Sequence, residues 1–391
     1  MRYRNILLVI AIAAVSLSCE ERFEIQIFPW RFQQGKIARL ICDIHLPDEQ
    51  PFEGDPRYIL KRVLKQAKAM GYTFDVGPEC EFFLFRTDDE GLPTTKTHEK
   101  GGYFDLGSVD IGENARRDMV INLENMGFEI EASHHEVAAA QHEIDFAHSD
   151  ALNTADNIMT LKLVIKSIAK RHGLYASFMP KPITGVPGSG MHLNMALKKN
   201  GHNAFYDPKD ELHLSQDAYH FIAGILAHAK GITALTNPLV NSYKRLVSGY
   251  EAPIHAAWSV MNRSPLLRVP AERGEDTHIE LRCPDPACNP YLVLAVCLAA
   301  GLDGINKKMI PPKRVDQNIF EMTDDERIAA HIESLPLDLY EAVKEMEKDD
   351  FVCSVLGKHV SEKYIQAKYQ EWENYRTQVT EWELEEYLYR I

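Results

Sequence analysis

Two stretches of this chain place acidic residues where a buried strand is expected. "GPECEFFLF" (residues 77–85) and "EASHHEVAAAQHEIDF" (residues 131–146) interleave glutamates and histidines with apolar side chains. Successive residues of a strand face opposite sides of a sheet, so Glu79 and Glu81 share one face while Cys80 and Phe82 share the other. Carboxylates that are buried without partners cost considerable free energy. The pattern therefore indicates a sheet with one apolar face and one face that carries a polar site.

Length and net charge limit the classes of protein to which this chain can belong. The chain has 391 residues, of which 45% are hydrophobic, so it can bury a large core. Its formal charge of −14 argues against nucleic acid as a partner, because phosphate binding needs a basic surface. The seven cysteines form no CxxC pair, which favours free thiols in a reducing cytosol over disulfides in an exported protein.

The first residues conflict with a cytosolic assignment. "MRYRNILLVIAIAAVSLSC" has two arginines, then a long apolar run, then small residues before Cys19. This segment is similar to a signal peptide and is short for a membrane span. An accidental apolar start is the alternative. We predict a cytoplasmic protein that does not associate with a membrane unless residues 1–23 are functional.

Strands alternate with helices along the rest of the chain, which favours an α+β body. Apolar periodicity and capping residues predict helices at 55–71, 114–126, 151–173, 216–236, 289–305 and across most of 337–391. Residues 73–85 are predicted as two short strands around Gly77-Pro78. Glu136 and Glu143 are seven residues apart, which allows either two helical turns or two strands joined by a tight turn.

Six side chains lie in apolar segments and could hold divalent cations. They are Glu79, Glu81, Glu136, Glu143, His192 and Glu280. Taken singly, each glutamate could lie on an exposed sheet face, and the histidine could be an ordinary core residue. Together they form an oxygen-rich set, which suits Mg²⁺ or Mn²⁺ better than zinc. The number of ligands predicts two or more cations.

Several arginines complement these carboxylates. They lie in short segments bounded by proline or glycine: Arg245, Arg263, Arg268 and Arg282. Any one of them could form a surface ion pair, but together they suggest recognition of carboxylates and phosphates. The chain has no P-loop and no GxGxxG motif. The residues alone therefore predict a metal-dependent enzyme of phosphoryl transfer or hydrolysis that acts on an anionic substrate.

The same segments, in the same order, closely resemble type I glutamine synthetase. The motifs are "GPECEFFLF", "GGYFDL", "ASHHEV…QHEID", "FMPKP…GSGMH", "NSYKRLVSGYEAP", "NRSPLLR" and "IELRCPDPACNPYL". The resemblance runs from about Phe28 to the C-terminus. It implies an α+β catalytic domain over 56–391, with an open antiparallel half-barrel flanked by helices. Residues 24–55 would be a remnant of the family's N-terminal β-grasp domain.

The resemblance also implies roles for individual residues. One cation would be held by Glu81, Glu136 and Glu143, and a second by Glu79, His192 and Glu280. Residues implied to bind glutamate are Gly188, Arg245, Arg263, Arg282 and, on a covering flap, Glu251. Residues implied to border the nucleotide are Glu131, Asn194, Arg263, Arg268 and Arg273. Residues implied in catalysis are Glu251, Arg263 and, near the ammonium site, Tyr103.

The implied reaction is the ATP-dependent phosphorylation of the glutamate γ-carboxylate, followed by displacement of phosphate by ammonia. The family resemblance also implies Mg²⁺ or Mn²⁺ and a homo-oligomer of two stacked hexameric rings. Two departures from the family pattern predict a slow enzyme: the β-grasp loop is not recognisable, and His278 replaces an arginine. Two alternatives stay open, namely a non-catalytic or regulatory paralogue and a γ-glutamyl ligase that uses another amine.

Overall fold

The computed structural model describes residues 26–29, 37–250, 252–260 and 262–391. The signal-like segment at 1–23 and Glu251 lie outside these ranges. Within them the strands are β1 Gln26–Phe28, β2 Ile37–Arg39, β3 Tyr72–Thr87, β4 Pro93–Thr97, β5 Ile130–His135, β6 Gln141–Phe146, β7 Ser149–Asp150, β8 Leu174–Ser177, β9 Met191–Lys199, β10 His202–Asn203, β11 His255–Ala256, β12 Trp258–Ser259, β13 Leu267–Arg268, β14 Ile279–Leu281 and β15 Glu333–Ser334.

The α-helices of the same ranges are α1 Pro56–Ala69, α2 Glu113–Glu124, α3 Ala151–Arg171, α4 Gln216–Ala227, α5 Ala229–Thr236, α6 Ser242–Arg245, α7 Pro290–Lys307, α8 Asp324–Ala329, α9 Leu339–Lys348, α10 Asp350–Leu356, α11 Lys358–Arg376 and α12 Glu381–Tyr387. The architecture is the predicted α+β type, with helices packed around one large sheet. Among the described helices, none combines the length and the apolarity that crossing a bilayer requires.

The large sheet has eleven strands and is built around β3. Its main path runs β12-β13-β14-β9-β3-β6-β5, while β10 pairs with β9, and β4, β7 and β8 pair with β3. All of these pairings are antiparallel except the short parallel contact between β12 and β13. Apolar residues on one side of β3, including Cys80 and Phe82, are fully buried in the main core.

The prediction of two short strands around Gly77-Pro78 is wrong, because β3 is continuous through both residues. Strand β9 pairs with β3 without interruption from Tyr72 to Cys80. On the other side of β3, the pairing with β7 ends at Val76 and the pairing with β6 begins at Glu79. Pro78 has no N–H to donate, and it falls in this gap, where the ladder on that side has no partner.

The single helix predicted over 216–236 is also interrupted, at His228. This residue separates α4 from α5, and its φ of −106° departs from helical geometry. The imidazole Nδ1 donates to Asp349 Oδ2 at 2.8 Å, and the ring stacks on Phe351 with centroids 4.3 Å apart. Tertiary contacts with α10 and the residue before it therefore accompany a bend that the apolar periodicity did not reveal.

The segment between Glu136 and Glu143 forms two strands joined by a tight turn, which is the second of the two predicted alternatives. Strands β5 and β6 pair antiparallel, with His134 opposite Glu143 and His135 opposite His142. Ala140 closes the turn in the left-handed region, at φ 62°. The turn sets the spacing between the two glutamates.

Helices α4 and α7 approach each other closely through glycines. A Cβ on Gly224 would lie 2.1 Å from the carbonyl oxygen of Ala300, and one on Gly304 would lie 2.0 Å from that of His220. Helix α7 is buried on nearly all sides, as its strongly apolar sequence predicts. The glycines allow this buried helix to contact α4 backbone to backbone.

We therefore expect Gly224→Ala to lower the free energy of unfolding by about 1–3 kcal/mol, because the added methyl overpacks this contact. Urea denaturation measures the change. The control is Gly102→Ala, where the nearest atom to an added Cβ lies 3.7 Å away. A Gly224→Ala protein as stable as the wild type would show that the two helices can separate without cost.

Candidate active site

The polar face of the large sheet carries a first group of possible cation ligands, formed by Glu79, His192 and Glu280. They lie on the adjacent strands β3, β9 and β14, with Glu79 directly opposite His192. His192 Nδ1 lies 3.0 Å from Glu79 Oε2 and 3.6 Å from Glu280 Oε1. Asn194 Nδ2 donates to Glu79 Oε1 at 2.8 Å. One ligand atom of each residue in the group lies within 4.8 Å of the others.

A second group of possible ligands is formed by His134, Glu136 and Glu143. His134 Nε2 lies 3.4 Å from Glu143 Oε2, and His134 Nδ1 lies 3.7 Å from Glu136 Oε1. Their ligand atoms also lie within 4.8 Å of one another. Glu81, which was predicted in this group, lies opposite Glu143 in the β3–β6 register. The tight group therefore contains His134 where the prediction had Glu81.

Glu81 is fixed by two donors of its own. Its Oε2 accepts from Gln141 Nε2 at 2.8 Å and from the Gly190 main-chain N–H at 2.9 Å. Burial raises the pKa of Glu81, and the nearby Glu136 raises it further, while His192 opposes the shift. The carboxylate thus interacts with a member of each ligand group.

The carboxyl groups of this face repel one another strongly. Burial raises the pKa of Glu143 well above its usual range, and the charges of Asp145, Glu81 and Glu79 add to the effect. Burial also raises the pKa of Asp145. Glu79 behaves differently: burial opposes ionisation there, but contacts with His192 and Asn194 lower its pKa to about 2.

These residues fit divalent cations. The donor set is mainly carboxylate oxygen, with one imidazole in each group, and such sets suit Mg²⁺ or Mn²⁺. His192 turns its Nδ1 toward both carboxylates of the first group. A bound cation would neutralise the clustered carboxylates.

Two of the predicted arginines contact the first group directly. Arg282 Nη1 donates to Glu280 Oε1 at 2.7 Å, and Arg268 Nη1 donates to Glu280 Oε2 at 2.8 Å. Arg245 is buried and donates to the carbonyl oxygens of Cys283 at 2.7 Å and Arg282 at 3.3 Å. Its guanidinium is thereby fixed beside Gly190, where an added Cβ would lie 2.6 Å from Nη2.

The other predicted residues divide into those near the ligand groups and those held elsewhere. The hydroxyl of Tyr103 is hydrogen-bonded to Arg263, and its ring meets His134 edge-on with centroids 5.7 Å apart. The Gly188 carbonyl accepts from Gln141 Nε2 at 3.2 Å, which ties the glycine loop to β6. Glu131 is exposed on β5.

Arg273 is engaged by the main chain. Its guanidinium donates to the carbonyl oxygens of Leu212 at 2.9 Å and Glu272 at 2.7 Å, and also to that of Pro270. These contacts engage Nε and Nη1 of Arg273, and its role at the nucleotide stays a prediction.

Sequence reasoning missed three residues of the site: His134, Gln141 and Asp145. The signal was present, since His134 lies two residues before Glu136 and Asp145 two residues after Glu143. Residues at this spacing share a strand face. Gln141, which donates to Glu81, lies two residues before Glu143 and so carries the same signal, although its contact with Glu81 on another strand is not visible in the spacing.

The fold and the site together define a class of protein in which an antiparallel sheet presents two carboxylate–imidazole groups, each able to hold a cation, flanked by arginines. The chain belongs to the glutamine synthetase family. The family model for the glutamine synthetase catalytic domain matches residues 53–387.

Relatives and solved structures agree with this assignment. The chain is 63% identical to the glutamine synthetase of Clostridium saccharobutylicum over 362 residues, which cover 93% of this chain and 82% of the relative. It is 57% identical to that of Staphylococcus aureus strain MW2 over 363 residues, covering 93% and 81%. A structure described as "GmaS/ADP complex-Conformation 1" matches with a TM-score of 0.83 at 35% identity, covering 93% of this chain and 83% of that one.

The raised pKa values predict how the stability of the cation-free protein depends on pH. The folded chain retains protons on Glu143 and Asp145 that the unfolded chain, with carboxyl pKa values near 4, has released. The folded state then binds more protons, so the free energy of unfolding falls as pH rises above the carboxyl pKa values of the unfolded chain.

Urea denaturation in the presence of a chelator, at several pH values, measures the slope of the free energy of unfolding against pH. We expect Glu143→Gln to flatten it, because one of the retained protons no longer titrates. Replacement of the exposed Glu272 by glutamine is the control and should leave the slope unchanged. Identical slopes for the wild type and Glu143→Gln would contradict the assignment of a retained proton to Glu143.

Proposed function

We propose that this chain catalyses the ATP-dependent ligation of ammonia to the γ-carboxylate of L-glutamate, which gives glutamine through γ-glutamyl phosphate. The observation that carries the proposal is the pair of ligand groups on one sheet face, in a chain 63% identical to a glutamine synthetase over 93% of its length. Such a reaction needs positive charge around a transferring phosphoryl group and an ordered carboxylate acceptor.

The two ligand groups would hold Mg²⁺ or Mn²⁺. Glu79, His192 and Glu280 would bind one cation, and Glu136 and Glu143 the other, with His134 and Glu81 beside them. When bound, these cations supply positive charge that stabilises the developing charge on the phosphates. Asn194 orients Glu79 through its hydrogen bond of 2.8 Å, so it serves the first cation as well as bordering the nucleotide.

The arginines would bind the anionic substrates. Arg245 is fixed by main-chain carbonyls and presents a permanent charge to one carboxylate of glutamate, with Arg282 alongside. Gly188, which the resemblance implies at this pocket, packs closely against the main chain, because a Cβ there would lie 2.1 Å from the Pro180 carbonyl oxygen. Arg268, beside Glu280, would reach the phosphates of ATP.

The remaining assignments follow the family resemblance. Glu131 would border the nucleotide with Arg273, and Glu251 would close the glutamate pocket. Arg263 would act on the phosphoryl group and the substrate, and its hydrogen bond to Tyr103 is compatible with that position. Tyr103 lies against His134, next to the second ligand group, where a concentration of carboxylates would attract ammonium.

The proposal extends to self-association and location. The C-terminal residues leave large apolar side chains exposed, including Leu388 at 66% and Tyr389 at 91%. Exposed apolar patches are typical of interfaces, which supports a homo-oligomer, with two stacked hexameric rings as the form that the resemblance suggests. We place the reaction in the cytoplasm, where ATP is available and where thiols such as buried Cys80 stay reduced.

The direct test measures phosphate release by the purified protein with ATP, Mg²⁺, glutamate and ammonium. We expect phosphate and glutamine to form in equal amounts, and little phosphate when ammonium is omitted. A parallel reaction with methylamine distinguishes a ligase that prefers another amine. Binding of ATP and glutamate without any product would instead favour a non-catalytic or regulatory paralogue.

Replacement of Arg245 separates its role in substrate binding from its role in the fold. We expect Arg245→Ala to weaken glutamate binding by about 2–4 kcal/mol, or about 30- to 700-fold, because a desolvated Arg–carboxylate contact is lost. ATP binding should change little. Calorimetric titration of each ligand measures both affinities.

The control variant is Arg57→Ala, which removes an arginine that pairs with Asp156 at 3.0 Å, next to Asp43 and away from the ligand groups. It should lower stability and leave both ligand affinities unchanged. Equal losses of glutamate and ATP affinity in Arg245→Ala would rule out the proposed role of this arginine.

A further inference from the structure

A buried polar network lies on the other side of strands β5 and β6 from the second ligand group. Its members are at most 8% exposed: His98, Glu99, Asp110, Arg116, His135 and His142. Strand alternation explains the placement, since His135 follows His134, and His142 precedes Glu143. The proposed function gives this network no role.

Glu99 is the centre of the network. Its Oε1 accepts from His135 Nε2 at 2.5 Å and from the Ala140 main-chain N–H at 3.1 Å, and its Oε2 accepts from the Gly112 N–H at 3.2 Å. His135 Nδ1 in turn donates to the carbonyl oxygen of Glu136 at 2.6 Å. One carboxylate therefore joins the end of β5, the turn before β6 and the start of α2.

The network is balanced in charge without a metal ion. Four members of the network each offer one possible ligand atom within 4.8 Å of the others, as in a metal site: Glu99, Asp110, His135 and His142. However, Arg116 forms an ion pair with Asp110 at 2.7 Å and donates to His142 Nδ1 at 2.8 Å. The proton of a neutral His142 is then on Nε2, which leaves no free lone pair there.

His135 supplies the second positive charge. Both of its ring nitrogens face acceptors, namely Glu99 and the Glu136 carbonyl, so the ring carries two protons. Two carboxylates are thus matched by Arg116 and His135.

We propose that Glu99 is a positioning residue that holds Glu136 and Glu143 at the spacing needed for the second cation, an inference that rests on the proposed function. Glu136 and Glu143 lie on either side of the turn that Ala140 closes at φ 62°. Only glycine adopts this conformation at little cost, so the alanine needs support from its surroundings. Glu99 gives that support by accepting the Ala140 N–H.

Glu99 also holds the loop that packs against the other side of the second ligand group. It precedes the loop that carries Tyr103, and its bond to Gly112 anchors the far end of that loop. Tyr103 packs against His134, a member of the group. Loss of Glu99 should therefore loosen both the ligands and the side chain that covers them, while the first group, on β3, β9 and β14, keeps its own contacts.

Titration with Mn²⁺, followed by electron paramagnetic resonance and calorimetry, tests the proposal. The wild type should bind two equivalents of Mn²⁺, at two classes of site. A His192→Asn variant identifies which class of Mn²⁺ site belongs to the first ligand group. We expect Glu99→Gln to weaken the other class by about 10- to 100-fold, as is typical when a residue that orients a metal ligand is lost. The first class should change less than about threefold.

Two further variants distinguish positioning from general destabilisation. Asp349→Asn removes the carboxylate of another histidine pair, the half-buried one with His228 at 2.8 Å, and should leave both classes of Mn²⁺ site intact. Glu99→Gln combined with Ala140→Gly should recover part of the lost affinity, because glycine closes the turn without support. If Glu99→Gln does not fold, Glu99→Asp is used, and it should still weaken the second class at least about threefold more than the first.

Three results would overturn the proposal. The first is an equal loss of affinity at both classes of Mn²⁺ site in Glu99→Gln, and the second is wild-type affinity at both classes in that variant. The third is a third bound equivalent of Mn²⁺ in the wild type that disappears when Glu99 is replaced, because the network itself would then be a metal site. A wild-type protein that binds no Mn²⁺ contradicts the proposed function instead.

Discussion

Crowded carboxylates on one rigid sheet face are the constraint on which the rest of this structure depends. Glu79 and Glu81 lie on β3, and Glu143 lies on the adjacent β6, so their separations are set by strand spacing and cannot relax. Their mutual repulsion adds to burial in raising the pKa of Glu143. A face of this kind is costly unless the fold holds it firmly from the opposite side of the sheet and its charge is neutralised, by retained protons or by bound cations.

Two kinds of packing support the sheet on the side away from the carboxylates. Beneath β3 the packing is apolar, and Cys80 and Phe82 are fully buried there. Under β5 and β6 it is the charged network around Glu99, which reaches the turn at Ala140 through a main-chain N–H. Apolar packing holds a regular strand well, but it cannot fix a strained turn in one conformation, for which a directional hydrogen bond is better suited.

Strand alternation made much of this site predictable. It placed Glu79 and Glu81 on one face, and the family motifs selected His192 and Glu280 from elsewhere in the chain. It also contained the signal for His134, which lies two residues before Glu136. The continuity of β3 through Pro78 was not predictable, because it depends on a gap between two other strands. The break at His228 depends likewise on Asp349, more than a hundred residues away.

Glu81 illustrates why contacts, and not residue type, decide the role of a carboxylate. Its Oε2 is occupied by Gln141 and the Gly190 N–H, which leaves its other oxygen as the one available to a cation. It interacts electrostatically with His192 of the first group and Glu136 of the second. Glu81 is therefore held between the two groups, whereas Glu99 contacts the elements of only the second.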